Sequence, residues 1–198
     1  MVIQPFIDCV LDCVSCLYVP TLVFSKDLPR NRFRIFKSHA SPPTLPFDPS
    51  VRYIVVVRNV EESMVSLHPF FAKHNPEFLE WFGVRSENWR QPDFPTFFEK
   101  VILPRKMLQS RFTFIRSWWQ YRNEKNVMIL HFADMKADHE GSVRKIAKFL
   151  NIEPTEDEWS RILEYTSFPW MKAHEEKFEI RYVCSKRPLL PGAMMRKG

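Results

Sequence analysis

The sequence predicts an α/β protein in which a central parallel sheet is covered by helices on both sides. Three observations lead there. Tyr53 to Val57 (YIVVV) is a short apolar run rich in β-branched residues, as in a strand buried on both faces. Val127 to Phe132 (VMILHF) repeats that character some seventy residues on. Around these runs lie segments of helical period, and strands that alternate with helices pair in parallel through crossovers.

In chain order, Phe33 to Phe36 reads as a first short strand running into Lys37, Ser38 and His39. The Pro-rich stretch Ser41 to Asp48 (SPPTLPFD) is a loop, and so is Gln91 to Pro95 (QPDFP). After the Tyr53 to Val57 strand, Glu61 to His74 starts on acidic residues as a helix does. Thr96 to Leu108 and Phe112 to Arg122 read as two helices, the second with Phe112, Ile115 and Trp119 on one apolar stripe. After the third strand, Val143, Ile146, Ala147 and Leu150 recur at the spacing of an amphipathic helix. Thr155 with Glu158 is a capping box that opens a further helix to about Tyr165. From Lys186 onward, Pro188, Pro191 and Gly192 predict irregular chain.

The chain's 198 residues suffice for one sizeable core, and 26% charged residues exclude wholesale disorder. A net charge of +6 favours an acidic partner or substrate. Lys and Arg are scattered, without the runs of a nucleic-acid-binding arm, so no nucleic acid is expected. In the first 24 residues Pro5, Asp8, Asp12 and Pro20 interrupt the apolar run, so no stable membrane span is expected. Four Cys in a chain of this length do not form a secreted disulfide framework; a reducing, cytoplasmic setting follows. Cys9, Cys13 and Cys16 share the C-x3-C-x2-C spacing of a site-differentiated iron–sulfur cluster, but their apolar neighbours suit Cys as a small hydrophobe. Only four Gly occur, at 83, 141, 192 and 198, which leaves no room for a Gly-rich phosphate loop.

Four small constellations carry chemistry. Lys37-Ser38-His39 follows a strand, and its imidazole can take a proton while the ammonium steadies an anion. Arg58 ends a strand, with Ser66 eight residues on; guanidinium, hydroxyl and helix amino end together suit a phosphate. An Arg paired at the surface with Glu61 or Glu62 would leave the same letters. Thr166-Ser167-Phe168 offers hydroxyls and an aromatic face that could stack on a base, or a helix terminus with a core Phe. Arg196-Lys197-Gly198 is a weak basic tail by itself.

In this order the four constellations resemble the sulfotransferases that use PAPS (3′-phosphoadenosine-5′-phosphosulfate), most closely the cytosolic type. SWWQYRNEKNVMILHFADMKAD and SVRKIAKFLNI add to the likeness, which runs from about Val19 to Gly198. The resemblance implies a three-layer α/β/α fold of the P-loop nucleoside triphosphate hydrolase-like kind. It divides the chain into a divergent apolar segment, 1–18, and a sulfotransferase-like domain, 19–198. It implies transfer of a sulfuryl group from PAPS to a hydroxyl or amine of a small-molecule acceptor, without a metal. The positions matching His39 and Lys37 are the family's catalytic base and the group that steadies the sulfuryl in flight. Those matching Arg58, Ser66, Arg196, Lys197 and Gly198 clamp the 3′-phosphate; those matching Thr166 and Phe168 contact the nucleotide and stack on adenine. Trp118 and Trp119 match an aromatic stretch near the substrate side.

Three departures accompany the likeness. The family's Y-P-K-S-G-T-T-W loop, which binds the 5′-phosphosulfate, has no counterpart before Val19. Phe132 stands where a tyrosine is usual, and the carboxyl-terminal dimer segment of the family does not occur before Gly198. The chain therefore reads as truncated at both ends. The alternative to an active enzyme is a catalytically inactive nucleotide-binding module of the same fold.

Overall fold

In a computed structural model, residues 38–42, 44–45, 47–81, 83–178 and 188–196 are described. The expected strand at Phe33 to Phe36, Lys37, the cysteines at 9, 13 and 16, Lys197 and Gly198 lie outside these residues. The chain divides into two compact units. One takes the chain up to Arg58 together with Gln109–Phe132, and the other takes Asn59–Leu108 and everything from Ala133 on.

The first unit is built on two strands, β1 (Tyr53–Val57) and β2 (Val127–His131), which pair in parallel. Tyr53 lies opposite Val127, and the register runs in step to Val57 opposite His131. Tyr53, Ile54 and Val55 are all buried, so β1 is covered on both faces as its composition requires. Tyr53, Val55 and Val127 form a core with Phe114 and Trp118, and Phe47, Ile115, Tyr121 and Ile129 pack on it. Phe47 stacks on Tyr53 with ring centroids 5.1 Å apart. The Tyr53 hydroxyl accepts from the Asp48 amide at 2.8 Å, which satisfies the polar tip of an otherwise apolar ring. Asn126 ties the loop below the strands, its amide donating to Val51 O at 2.9 Å.

The second unit begins with α1 (Val60–Ala72), followed by α2 (Pro76–Trp81) and α3 (Phe94–Phe97). Met64, Leu67, Phe70 and Phe71 of α1 are buried, and the Phe71 ring stacks on Trp89 at 4.9 Å and meets Phe97 at 5.4 Å. Beyond Ala133 come α6 (His139–Leu150), α7 (Glu156–Tyr165) and α8 (Phe168–Ala173), while α5 (Phe132–Ala137) starts directly at the end of β2. The Thr155 and Glu158 capping box is present in both directions, as the sequence predicts.

Three expectations fail. Thr96 to Leu108 is not one helix. α3 passes into a wide π turn at Phe98–Ile102, and Lys106, at φ 51°, separates it from α4 (Met107–Trp119). Pro104 has no amide to continue the ladder, which is the reason for the break. The stripe of α4 is also different: Met107, Arg111, Phe114 and Trp118 are buried, whereas Phe112 and Trp119 are each 55% exposed. The expected third strand stops one residue early, because Phe132 is already helical.

Candidate nucleotide site

Arg58 is the residue after β1, and Phe132 is the residue after β2. Since Val57 faces His131 across the ladder, the parallel register delivers the next residues side by side. The Arg58 guanidinium lies over the Phe132 ring, 4.8 Å from its centroid. This is a cation–π contact that fixes the direction of the guanidinium. Phe132 therefore has a role that its missing hydroxyl concealed. The signal was available in the pairing of the two strand ends, not in either residue alone.

Directly after Arg58, Asn59 caps α1 by accepting from the Glu62 amide at 3.0 Å. Its carbonyl also takes the Ser63 hydroxyl at 2.8 Å. The cap lets a thirteen-residue helix begin at Val60, two residues after Arg58 in sequence, with its positive dipole terminus at that end. Ser66 is half-buried in the second turn of this helix. His39 is half-buried in irregular chain, next to Ser38, whose hydroxyl accepts from the Ala40 amide at 2.9 Å.

In the second unit, Thr166 closes α7. Its hydroxyl donates to Ile162 O at 2.7 Å, so its lone pairs are left for His139, whose Nε2 lies 3.0 Å away and also 3.1 Å from Thr166 O. The Thr166 amide is spent on Ile162 O as well, at 3.0 Å. A nucleotide contact at Thr166 requires the hydroxyl to accept, or to turn away from Ile162. His139 was not singled out by sequence, since one histidine at a helix start carries no pattern. Phe168 opens α8 and is half-buried; Lys172 Nζ stands 5.9 Å from its ring centroid. Arg196 is exposed at the end of the described chain.

The segment leading to Arg196 is held from two sides. Lys73 Nζ donates to Pro191 O at 3.2 Å and Gly192 O at 2.9 Å. The Glu175 carboxylate accepts from the amides of Gly192 at 3.0 Å, Met194 at 2.9 Å and Met195 at 3.0 Å. His74, beside Lys73, forms an antiparallel bridge with Leu189 and is 4% exposed. Desolvation pushes its imidazole down to about 4, opposed by bonds to the carbonyls of Phe70 and Phe71. Its Nδ1 donates to Phe70 O at 3.2 Å, so this histidine is a neutral core group. No helix among the described residues is long and apolar enough to cross a membrane.

The chain also resembles known proteins in sequence and in fold. A family model described as "Sulfotransferase domain" matches residues 4–190. Human sulfotransferase 1E1 is 31% identical over 149 residues, covering 72% of this chain and 46% of that protein. Human sulfotransferase 1C2 is 28% identical over 173 residues, covering 83% and 53% respectively. The chain thus spans about half the length of the curated relatives it matches. Among solved structures, mouse sulfotransferase SULT7A1 complexed with PAP superposes with a TM-score of 0.61 at 25% identity, over 87% of this chain and 58% of that one. The parallel strand pair, its flanking helices and the match over nearly the whole sequence lead to one statement of kinship: this chain belongs to the sulfotransferase domain family.

Proposed function

We propose that the protein transfers a sulfuryl group from PAPS to a hydroxyl or amine of a small-molecule acceptor. The observation that carries this reading is the Arg58 guanidinium held on the Phe132 face, one residue before the capped start of the helix that bears Ser66. The residue types that the family resemblance assigns to the 3′-phosphate, the guanidinium groups of Arg58 and Arg196 and the hydroxyl of Ser66, are those that suit an anion with several oxygens. Lys197 and Gly198 extend the Arg196 arm, and Thr166 and Phe168 serve the nucleoside. PAPS supplies the activated sulfur–oxygen bond. His39 takes the proton as the acceptor oxygen or nitrogen attacks sulfur, and the bond to the bridging oxygen breaks, its electron pair leaving on PAP. Lys37 steadies the charge on the moving group, so the chemistry is positioning and electrostatics. A cytoplasmic setting belongs to the same reading.

A second reading has its own support. Within these 198 residues no Y-P-K-S-G-T-T-W loop occurs, so this stretch of chain carries the family's 3′-phosphate positions and not its 5′-phosphosulfate loop. A module that binds PAP without turnover would keep the clamp and lose the transfer. Radiolabelled PAPS with a panel of phenols and amines separates the two. Label on an acceptor, lost in His39→Ala, supports the enzyme. Tight PAP binding with no labelled product supports the module, and the absence of both removes the nucleotide reading.

A further inference from the structure

The chain before Arg196 is more tightly constrained than an irregular stretch needs to be. Leu190 N donates to Lys73 O at 2.9 Å and Asn75 N donates to Pro188 O at 2.8 Å, which sews residues 188–190 to the end of α1. Lys73 then grips two successive carbonyls, of Pro191 and Gly192. Gly192 sits at φ +71°, and a Cβ there would stand 3.0 Å from Lys73 Nζ, so glycine serves both the turn and the ammonium. Immediately afterwards three amides, of Gly192, Met194 and Met195, converge on one carboxylate. Converging amides of this kind make an anion-binding concavity. Here the protein fills it with its own Glu175, so these amides are committed to Glu175 and the loop is fixed by that carboxylate.

Glu175 comes from the 3₁₀ turn Glu175–Lys177, just beyond α8. That helix begins at Phe168, capped by Ser167 through a bond to the Trp170 amide at 3.3 Å, and Thr166 directly precedes the cap. The short run from Thr166 to Glu175 therefore joins the proposed base contacts to the loop that presents Arg196. α1 does the same from the other side, since it bears Ser66 in its second turn and Lys73 at its end.

We propose that Glu175 is a positioning residue for the 3′-phosphate clamp: it holds the backbone of residues 192–195 so that Arg196 is presented to the phosphate in one place. The proposal rests on the nucleotide reading given above, and it assigns to Glu175 a part in recognition that acts through Arg196. A guanidinium on a loose loop must be ordered when it binds, and pre-ordering removes that cost.

The test is calorimetric titration of the purified chain, and of its variants, with PAP and with adenosine 5′-phosphate, which lacks the 3′-phosphate. Glu175→Ala should lower PAP affinity about tenfold, the scale of a lost pre-ordering contribution, and leave adenosine 5′-phosphate unaffected. Glu175→Gln keeps an oxygen where Oε1 accepts from Met194 and Met195, so it should fall between wild type and alanine. Adding Glu175→Ala to Arg196→Ala should cost nothing further, because the first residue acts through the second. A merely structural glutamate would weaken both nucleotides alike, or add in full to Arg196→Ala; either result overturns the proposal. So does unchanged PAP affinity in both Glu175 variants while Arg196→Ala weakens it. Wild-type protein that fails to prefer PAP over adenosine 5′-phosphate removes the clamp reading itself, and that failure shows before any variant is made.

Discussion

At the scale of single residues, the contact between Arg58 and Phe132 makes a sharp demand. Arg58→Ala should weaken PAP binding by roughly 1.5–3 kcal/mol, the range for a charge-assisted contact, and leave adenosine 5′-phosphate nearly unaffected. Phe132→Leu keeps an apolar side chain but removes the ring face, and should cost about 0.5–1 kcal/mol on PAP alone. Calorimetry on both nucleotides measures each; equal losses on the two would take Arg58 out of the phosphate role. The place of Arg58 at a strand end was legible in sequence because a buried strand ending on a cation is conspicuous. Phe132 was legible only as a departure, since its use depends on the register that sets Val57 opposite His131. His74 makes a different demand, on stability. Its folded imidazole titrates at about 4, below the usual 6.5, so the unfolded chain binds the extra proton first as pH falls. The stabilisation is whole above pH ~6.5, declines as pH drops toward 4, and amounts to about 3 kcal/mol in all. Urea unfolding of wild type and His74→Leu across that window should show a smaller pH dependence in the variant. Parallel curves would mean that His74 takes up its proton at the same pH in the folded and unfolded chain.

At the scale of elements, α1 depends on its first turn. Asn59→Ala deletes the side-chain acceptor for the Glu62 amide and should cost about 1 kcal/mol of stability, seen as a lower urea midpoint with an unchanged slope. Asn59→Asp should restore most of it, which a general disturbance of Arg58 would not allow. Helices with a local signature were readable: the Thr155 and Glu158 box marks α7, and the spacing of Val143 to Leu150 marks α6. The stretch from Thr96 to Leu108 was not, because its apolar residues are dense enough to fit several periods. Pro104 and the left-handed Lys106 decide the break, and a lysine at positive φ gives no warning in sequence. The same density misled the stripe of α4. Phe112 and Trp119 look like core residues until Phe114 and Trp118 take that face.

At the scale of the whole molecule, the decisive comparison is between these 198 residues and the same chain preceded by a segment carrying a Y-P-K-S-G-T-T-W loop. With one anchor on the donor in place of two, orientation suffers more than affinity. Transfer from radiolabelled PAPS should be at least ~100-fold slower without the loop, about 2.7 kcal/mol of barrier. Comparable rates would show that another segment does the loop's work. The clasp between α1 and the chain near Leu189 bears on a different matter, the order in which the molecule assembles. Lys73 and its carbonyl partner Pro191 are 118 residues apart in sequence. Pairing at such separation waits on loop closure and forms late. Pulsed hydrogen exchange during refolding should protect the interior of α1 before the Asn75 amide; simultaneous protection would remove this ordering. During synthesis at ordinary speeds, about 6–24 s pass between the appearance of Lys73 and that of its partner. For that interval the Asn75 amide and Lys73 carbonyl depend on water, and the nascent chain carries an open helix end beside His74 that only the emergence of residues 188–190 can close.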